Sequence, residues 1–341
     1  MLTRTRRAIR TRERISIAHD KRYILIKRRS VSKAKKQHWV PRFYLKEFSI
    51  DKPQTKKETQ VWIFSKKEGA PKIVNIKDIA VKRYLYSPKD EDGNRCWKME
   101  EELASLEGLI SQIWPTLAHG YLDLSNQSYK KIISLFLATL YLRHPKRLPE
   151  QEKIQNWLID FYDKNIPKDK NGNRVSCQFS TPKGDFILEQ SNWEDYSNST
   201  QYDKEKFFVD TIKESSMKIV EIFMKKRWSV ICSDKKQFIT TDNPLIIYNR
   251  IFGEVKNYGL NTMGTTIIFP ISPTRVLVLD DMLDEPHSQY YPLQDEGTDI
   301  NLLSWVNAHQ FMISHRNPDE VNEEIVRYAE EKGILQVRGD Q

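Results

Sequence analysis

Residues 128–143 constrain the fold more than any other part of this chain. Ile132, Ile133, Leu135, Phe136, Leu137, Leu140, Tyr141 and Leu142 make the segment apolar on nearly every side, and a helix without a polar face belongs inside a core. Helical patterning surrounds it. Between 99 and 117, Leu103, Leu106, Leu109, Ile110, Ile113 and Leu117 recur at spacings of three and four, the pattern of an amphipathic helix. Residues 147–165 and 204–226 are predicted to be helical as well. Strands fall on both sides of this centre. The runs 61–64 and 73–76 predict a hairpin, and 228–231, 238–240, 245–248, 265–269 and 275–279 are short β-rich runs broken by turn residues. Helices at 298–308 and 318–332 flank a strand at 310–314. The order predicts an α+β fold with a central helical layer packed on a mixed or antiparallel sheet. No repeat appears, which excludes solenoids and propellers.

Charge is distributed unevenly. Residues 1–30 hold eleven Lys and Arg against Glu13 and Asp20, which accounts for the whole formal net charge of +9 and leaves the other 311 residues balanced. A general electrostatic case for nucleic acid therefore rests on a short tail. Val31-Ser32-Lys33-Ala34-Lys35-Lys36 looks like the start of a bacterial reading frame in which GTG is read as Met, so residues 1–30 are expected to be untranslated or disordered. A nucleic-acid arm and a targeting peptide are the other readings. Residues 31–341 are then expected to form a single α+β domain, with a polar insertion or loop around 166–203. No apolar run is long enough to span a bilayer, and no secretory pattern opens the chain, so a cytoplasmic protein without a membrane partner is expected. Cys96, Cys177 and Cys232 show no C-x-x-C spacing, which argues against a disulfide framework or a thiolate zinc site.

The chemistry-bearing residues cluster in a few places. In Gln37-His38-Trp39-Val40-Pro41-Arg42-Phe43-Tyr44-Leu45-Lys46-Glu47-Phe48, His38 and Arg42 are four apart and can share a side in either helical or extended backbone. The histidine could act as a base or metal ligand, and the arginine fork could hold a phosphate or carboxylate. Alternatively His38 bonds nearby backbone while the aromatic residues anchor the segment. In Thr240-Thr241-Asp242-Asn243-Pro244, Asp242 follows a predicted strand, a common place for catalytic and metal-binding carboxylates. Asp-Asn-Pro is equally good turn chemistry. Glu101 and Glu107 ride on the helix 99–117, as ligands or as a solvated face. Arg143 and His144 end the most apolar helix, where they either cap it or enter a pocket. His309 follows a predicted helix. Phosphate-loop, dinucleotide, zinc-helix and nucleophile-elbow motifs are all missing.

The opening block, the Thr240–Pro244 turn and Phe269-Pro270-Ile271-Ser272-Pro273 together resemble the bacterial family catalogued as Domain of Unknown Function 4238. Its members share (Q/H)-H-x-V-P-R-x-x-L and T-(S/T)-D-N-P. The resemblance covers about residues 35–315 and implies no known activity. It does give weight to His38, Arg42 and Asp242 as catalytic residues, with Glu101, Glu107, Arg143, His144 and Asn243 in support. The expectation is a metal-dependent, nuclease-like hydrolase acting on nucleic acid, used in phage or mobile-element defence. His38 and Asp242 would hold Mg or Mn. The alternatives are a non-catalytic protein- or nucleic-acid-binding module and a nucleotide- or NAD-directed transferase-type toxin.

Overall fold

A computed structural model describes residues 34–51, 58–90, 92–165, 168–173, 175–181, 184–188, 197–198, 201–249, 258–294 and 296–334. The basic tail and much of 166–203 lie outside them. The opening block starts with a short strand, β1 (Lys36–His38), and turns at Pro41 into one helical turn, α1 (Arg42–Leu45). A hairpin follows, β2 (Gln60–Ser65) and β3 (Pro71–Asn75), and then β4 (Val81–Arg83). β4 pairs antiparallel with β1, setting His38 opposite Val81 and Lys36 opposite Arg83.

Three long helices come next. α2 (Lys98–His119) buries Met99, Leu103, Ile110, Trp114 and Leu117, and it ends at Gly120. α3 (Gln127–Leu142) begins at Asn126, whose side chain accepts from the Ser128 and Tyr129 N–H groups and so satisfies two of the donors that a helix start leaves free. α4 (Arg147–Asn165) follows directly. Within the region expected to be a polar loop, β5 (Cys177–Thr181) and β6 (Gly184–Leu188) form an antiparallel hairpin. α5 (Gln201–Lys225) then packs along α3.

The remaining strands are β7 (Arg227–Cys232), β8 (Thr240–Thr241), β9 (Ile246–Asn249), β10 (Thr265–Ser272), β11 (Arg275–Asp280) and β12 (Gln289–Pro292). After them come α6 (Thr298–Asn307), β13 (Phe311–Ser314) and α7 (Pro318–Glu331). They build two principal sheets. One has the order β12-β7-β11-β10-β9, antiparallel except for the parallel pair β12 and β7. The other is antiparallel, β3-β2-β13-β8, so the last strand lies between the first hairpin and the Thr240 segment, with Ile313 opposite both Ile63 and Thr240. The fold is α+β, as the order of periodicities predicts.

Helices and the larger sheet meet over α1. Phe43 and Tyr44 are wedged against Trp114 of α2, Phe136 of α3 and Phe269 of β10, with ring centroids 5.1–5.8 Å apart. Such offset and edge-on aromatic pairs add to the hydrophobic gain of burying the rings. The opening block is therefore a wedge in the core, anchored by Phe43 and Tyr44.

Candidate functional site

The three sequence blocks meet through two aromatic residues. The Tyr44 hydroxyl donates to the Pro270 carbonyl at 2.8 Å, which leaves Thr240 Oγ1, 2.5 Å away, to donate in turn to Tyr44. Trp39 has a similar part. Its indole Nε1 donates to the Asp242 carbonyl at 2.9 Å, its own carbonyl accepts from Arg143 Nε at 2.9 Å, and its ring meets the His144 ring edge-on at 5.8 Å. Trp39 thus carries one polar group of residues on its backbone and another on its indole.

On the backbone side lie His38, Arg42, Arg143, Glu107 and Glu100. Arg143 is 1% exposed. Its Nη1 donates to Glu107 Oε1 at 2.7 Å, and its Nη2 is buried without a partner. His38 Nε2 is buried and unpartnered too. Burial first, then the Arg42 charge, pulls the His38 pKa down to about 4, against the lifting effect of the Ile76 and Lys77 carbonyls. Arg42 opens α1 with its guanidinium exposed and, among the described residues, in no hydrogen bond or ion pair. Burial and the Glu107 charge raise Glu100 to about 7, while Arg143 opposes the shift. Glu101 is exposed, as on a solvated face; Glu100, a full two turns before Glu107, lies on Glu107's side of the helix. β4 adds strain beside this group, since Ala80 and Tyr84, the residues that bracket it, have φ of 48° and 56°.

Asp242 lies on the indole side and is wholly buried. Its two carboxylate oxygens accept the His309 and Gln310 N–H groups, each at 2.9 Å. Burial nevertheless raises its pKa, because desolvation outweighs those bonds. Asn243 donates to the Asn307 carbonyl at 2.9 Å, and Asn307 returns the bond to the Asn243 carbonyl at 2.6 Å. The Thr240–Pro244 segment is accordingly a clamp that fixes the approach to β13. His144, 2% exposed, accepts the Lys146 N–H on Nδ1 at 3.1 Å, and its ring stands perpendicular to that of His309 at 5.3 Å. Burial, and after it the Lys146 charge, pulls His144 down to about 3.

The structure therefore gathers His38, Arg42, Arg143 and Glu107 on one side of Trp39, and Asp242, Asn243 and His144 on the other. No hydrogen bond joins His38 or Arg42 to Asp242. Among the described residues, no group of three or more His, Cys, Asp and Glu side chains could hold a metal ion, and no helix is long and apolar enough to cross a membrane. Sequence reasoning missed Trp39 and Tyr44 as organisers, along with Glu100, Lys66 and Lys146. The signal for the aromatic pair was present: each brings one polar atom into an otherwise apolar block, and such atoms need partners when buried.

No curated protein and no solved structure matches the chain. A family model does match, over residues 36–329, from β1 into α7 and through all three blocks that meet at Trp39 and Tyr44; the chain belongs to the family described as Protein of unknown function (DUF4238).

Proposed function

We propose that this chain is a hydrolase acting on phosphate esters, with nucleic acid as the substrate class and the reacting groups on the backbone side of Trp39. One observation carries this reading. His38 Nε2 and Arg143 Nη2 are buried nitrogens without partners, borne by Trp39's chain neighbour and by the residue that donates to its carbonyl. A buried polar atom left unpaired costs about 1–3 kcal/mol, so two of them on one side of Trp39 support a place prepared for a ligand's oxygens. In this reading His38, neutral at physiological pH, is the general base. Arg42 presents a free fork to the phosphate, and Arg143 with Glu107 stabilises charge that develops there. Asp242 is a positioning residue that holds Trp39 and the start of β13. A divalent ion, Mg or Mn, would arrive with the substrate and take most of its ligands from phosphate and water.

The test is incubation of the purified protein with plasmid, single-stranded DNA and total RNA, with and without Mg²⁺ or Mn²⁺. Metal-dependent cleavage is expected, reduced about 10²–10⁴-fold in His38→Gln and weakened in Arg42→Ala with the fold intact. Absence of cleavage by the wild-type chain on every substrate would refute the reading. A second reading, a non-catalytic binding module, is favoured by one observation: the Asp242 carboxylate is satisfied by backbone. It would give retention of nucleic acid or protein without turnover.

A further inference from the structure

On the indole side of Trp39 the Lys146 N–H donates to His144 Nδ1, so the neutral His144 ring carries its hydrogen on Nε2. That Nε2–H is buried and meets no acceptor in hydrogen-bond geometry; the Asp242 carbonyl lies close enough to act against the fall in the His144 pKa, but the bond it accepts comes from the Trp39 indole. Lys146, two residues on, is half-buried, and among the described residues its ammonium has no hydrogen-bond or ion-pair partner. The charges of Lys66 and Asp242 both act on it. Lys66 is held in place by the Ala308 carbonyl, 2.6 Å from Nζ, and by the Trp305 ring below it at 5.0 Å. Arg147 is paired with Glu150, whereas both oxygens of Asp242 are occupied by backbone N–H groups. Two ammonium groups against one engaged carboxylate leave a single positive charge in excess, next to a buried donor without an acceptor. Exposed Lys66 and His309 put this niche in reach of solvent.

We infer that His144, Lys146 and Lys66 form a binding site for a phosphate group, with the His144 Nε2–H and the Lys146 ammonium donating to its oxygens. The niche matches an oxyanion in three respects: its net charge is positive, the free groups of His144 and Lys146 are donors, and its Asp242 oxygens point into backbone N–H groups. A metal cation would meet two ammonium groups, and a neutral apolar ligand would leave the donor unpaired. Nothing in this inference needs the chain to be an enzyme, since occupancy is read without turnover.

The test is calorimetric titration of the full chain with inorganic phosphate against chloride at equal ionic strength, followed by an oligonucleotide with and without a 5′-phosphate. Phosphate is expected to bind. Lys146→Met should weaken it about tenfold or more, the loss of one charge-assisted hydrogen bond. His144→Phe, which keeps a ring against Trp39, should weaken it similarly, whereas His144→Gln, which restores a donor near Nε2, should recover most of the affinity. Preference for the 5′-phosphorylated oligonucleotide assigns the niche to a terminal phosphate. Equal binding of both, still dependent on Lys146, assigns it to the phosphodiester backbone. Phosphate binding no stronger than chloride, or folded Lys146→Met and His144→Phe chains that bind as tightly as wild type, would overturn the assignment.

Discussion

Asp242 illustrates how a residue's surroundings decide its work. A carboxylate just after a strand is where a catalyst or metal ligand often sits, yet here each oxygen is turned to a backbone N–H at the start of β13. Asp242→Ala removes both acceptors together and should lower the unfolding free energy by about 3 kcal/mol, with Asp242→Asn intermediate because it retains one oxygen. Urea unfolding checks this, and near-neutral behaviour of Asp242→Ala would exclude the clamp. Arg143 is the converse case. Read from sequence as a helix cap or a pocket residue, it sits at the C-cap of α3 and extends to Trp39 and Glu107. His38, Arg42, Glu107, Arg143, His144 and Asp242 could each be picked out by residue type and neighbours. Their division into two groups could not, because it depends on where the Trp39 indole points, and no local pattern encodes that.

Elements were legible in proportion to how local their causes are. The helices α2, α3 and α4 fall within a residue or two of the predicted spans, since each one's pattern lies in its own sequence and α3 also carries its own cap, Asn126. β1 and β4 were invisible. Each is three residues long, largely polar or charged, and exists by pairing with the other across more than forty residues. β12, Gln-Tyr-Tyr-Pro, is likewise made by its parallel partner β7. The strands also divide into two principal sheets, because β13 returns to β2 rather than joining β10 and β11. One turn is written directly in the chain. Gly297 precedes α6 at φ 67°, and a Cβ there would lie 2.7 Å from the Phe238 ring. Gly297→Ala should therefore cost about 2 kcal/mol through left-handed strain and overpacking, measured by chemical denaturation. An unchanged midpoint would mean that α6 starts differently.

At the scale of the whole molecule, three histidines of the described residues, kept neutral chiefly by burial, contribute to the response to acid. His38 and His144 drop from an ordinary 6.5 to about 4 and about 3, and His315 falls to about 4, each chiefly by burial. A base with a depressed folded pKa leaves stability intact above 6.5 and removes it as pH falls toward the folded value, because the unfolded chain takes up the proton first. Glu100, raised to about 7, works in the opposite direction, its contribution complete below 4.5 and lost as pH rises through 7. Between pH 5 and 6 the unfolding free energy of His144→Gln should be less steep in pH than wild type by about 1.4 kcal/mol per unit. Parallel slopes would show that His144 is protonated in the folded chain.

The contacts that join the sequence blocks span 203 residues from Trp39 to Asp242 and 226 from Tyr44 to Pro270. On a ribosome adding about 5–20 residues per second, Trp39 waits roughly 10–40 s for Asp242 to be made, and longer for His309 to emerge and close the clamp. Throughout that interval the wedge of aromatic rings has only Trp114 and Phe136 to pack on and lacks its Phe269 face, so the nascent chain carries an incompletely covered apolar segment that invites chaperone capture. The indole side of Trp39 cannot be assembled until His309 and Gln310 have been made, when synthesis is almost complete.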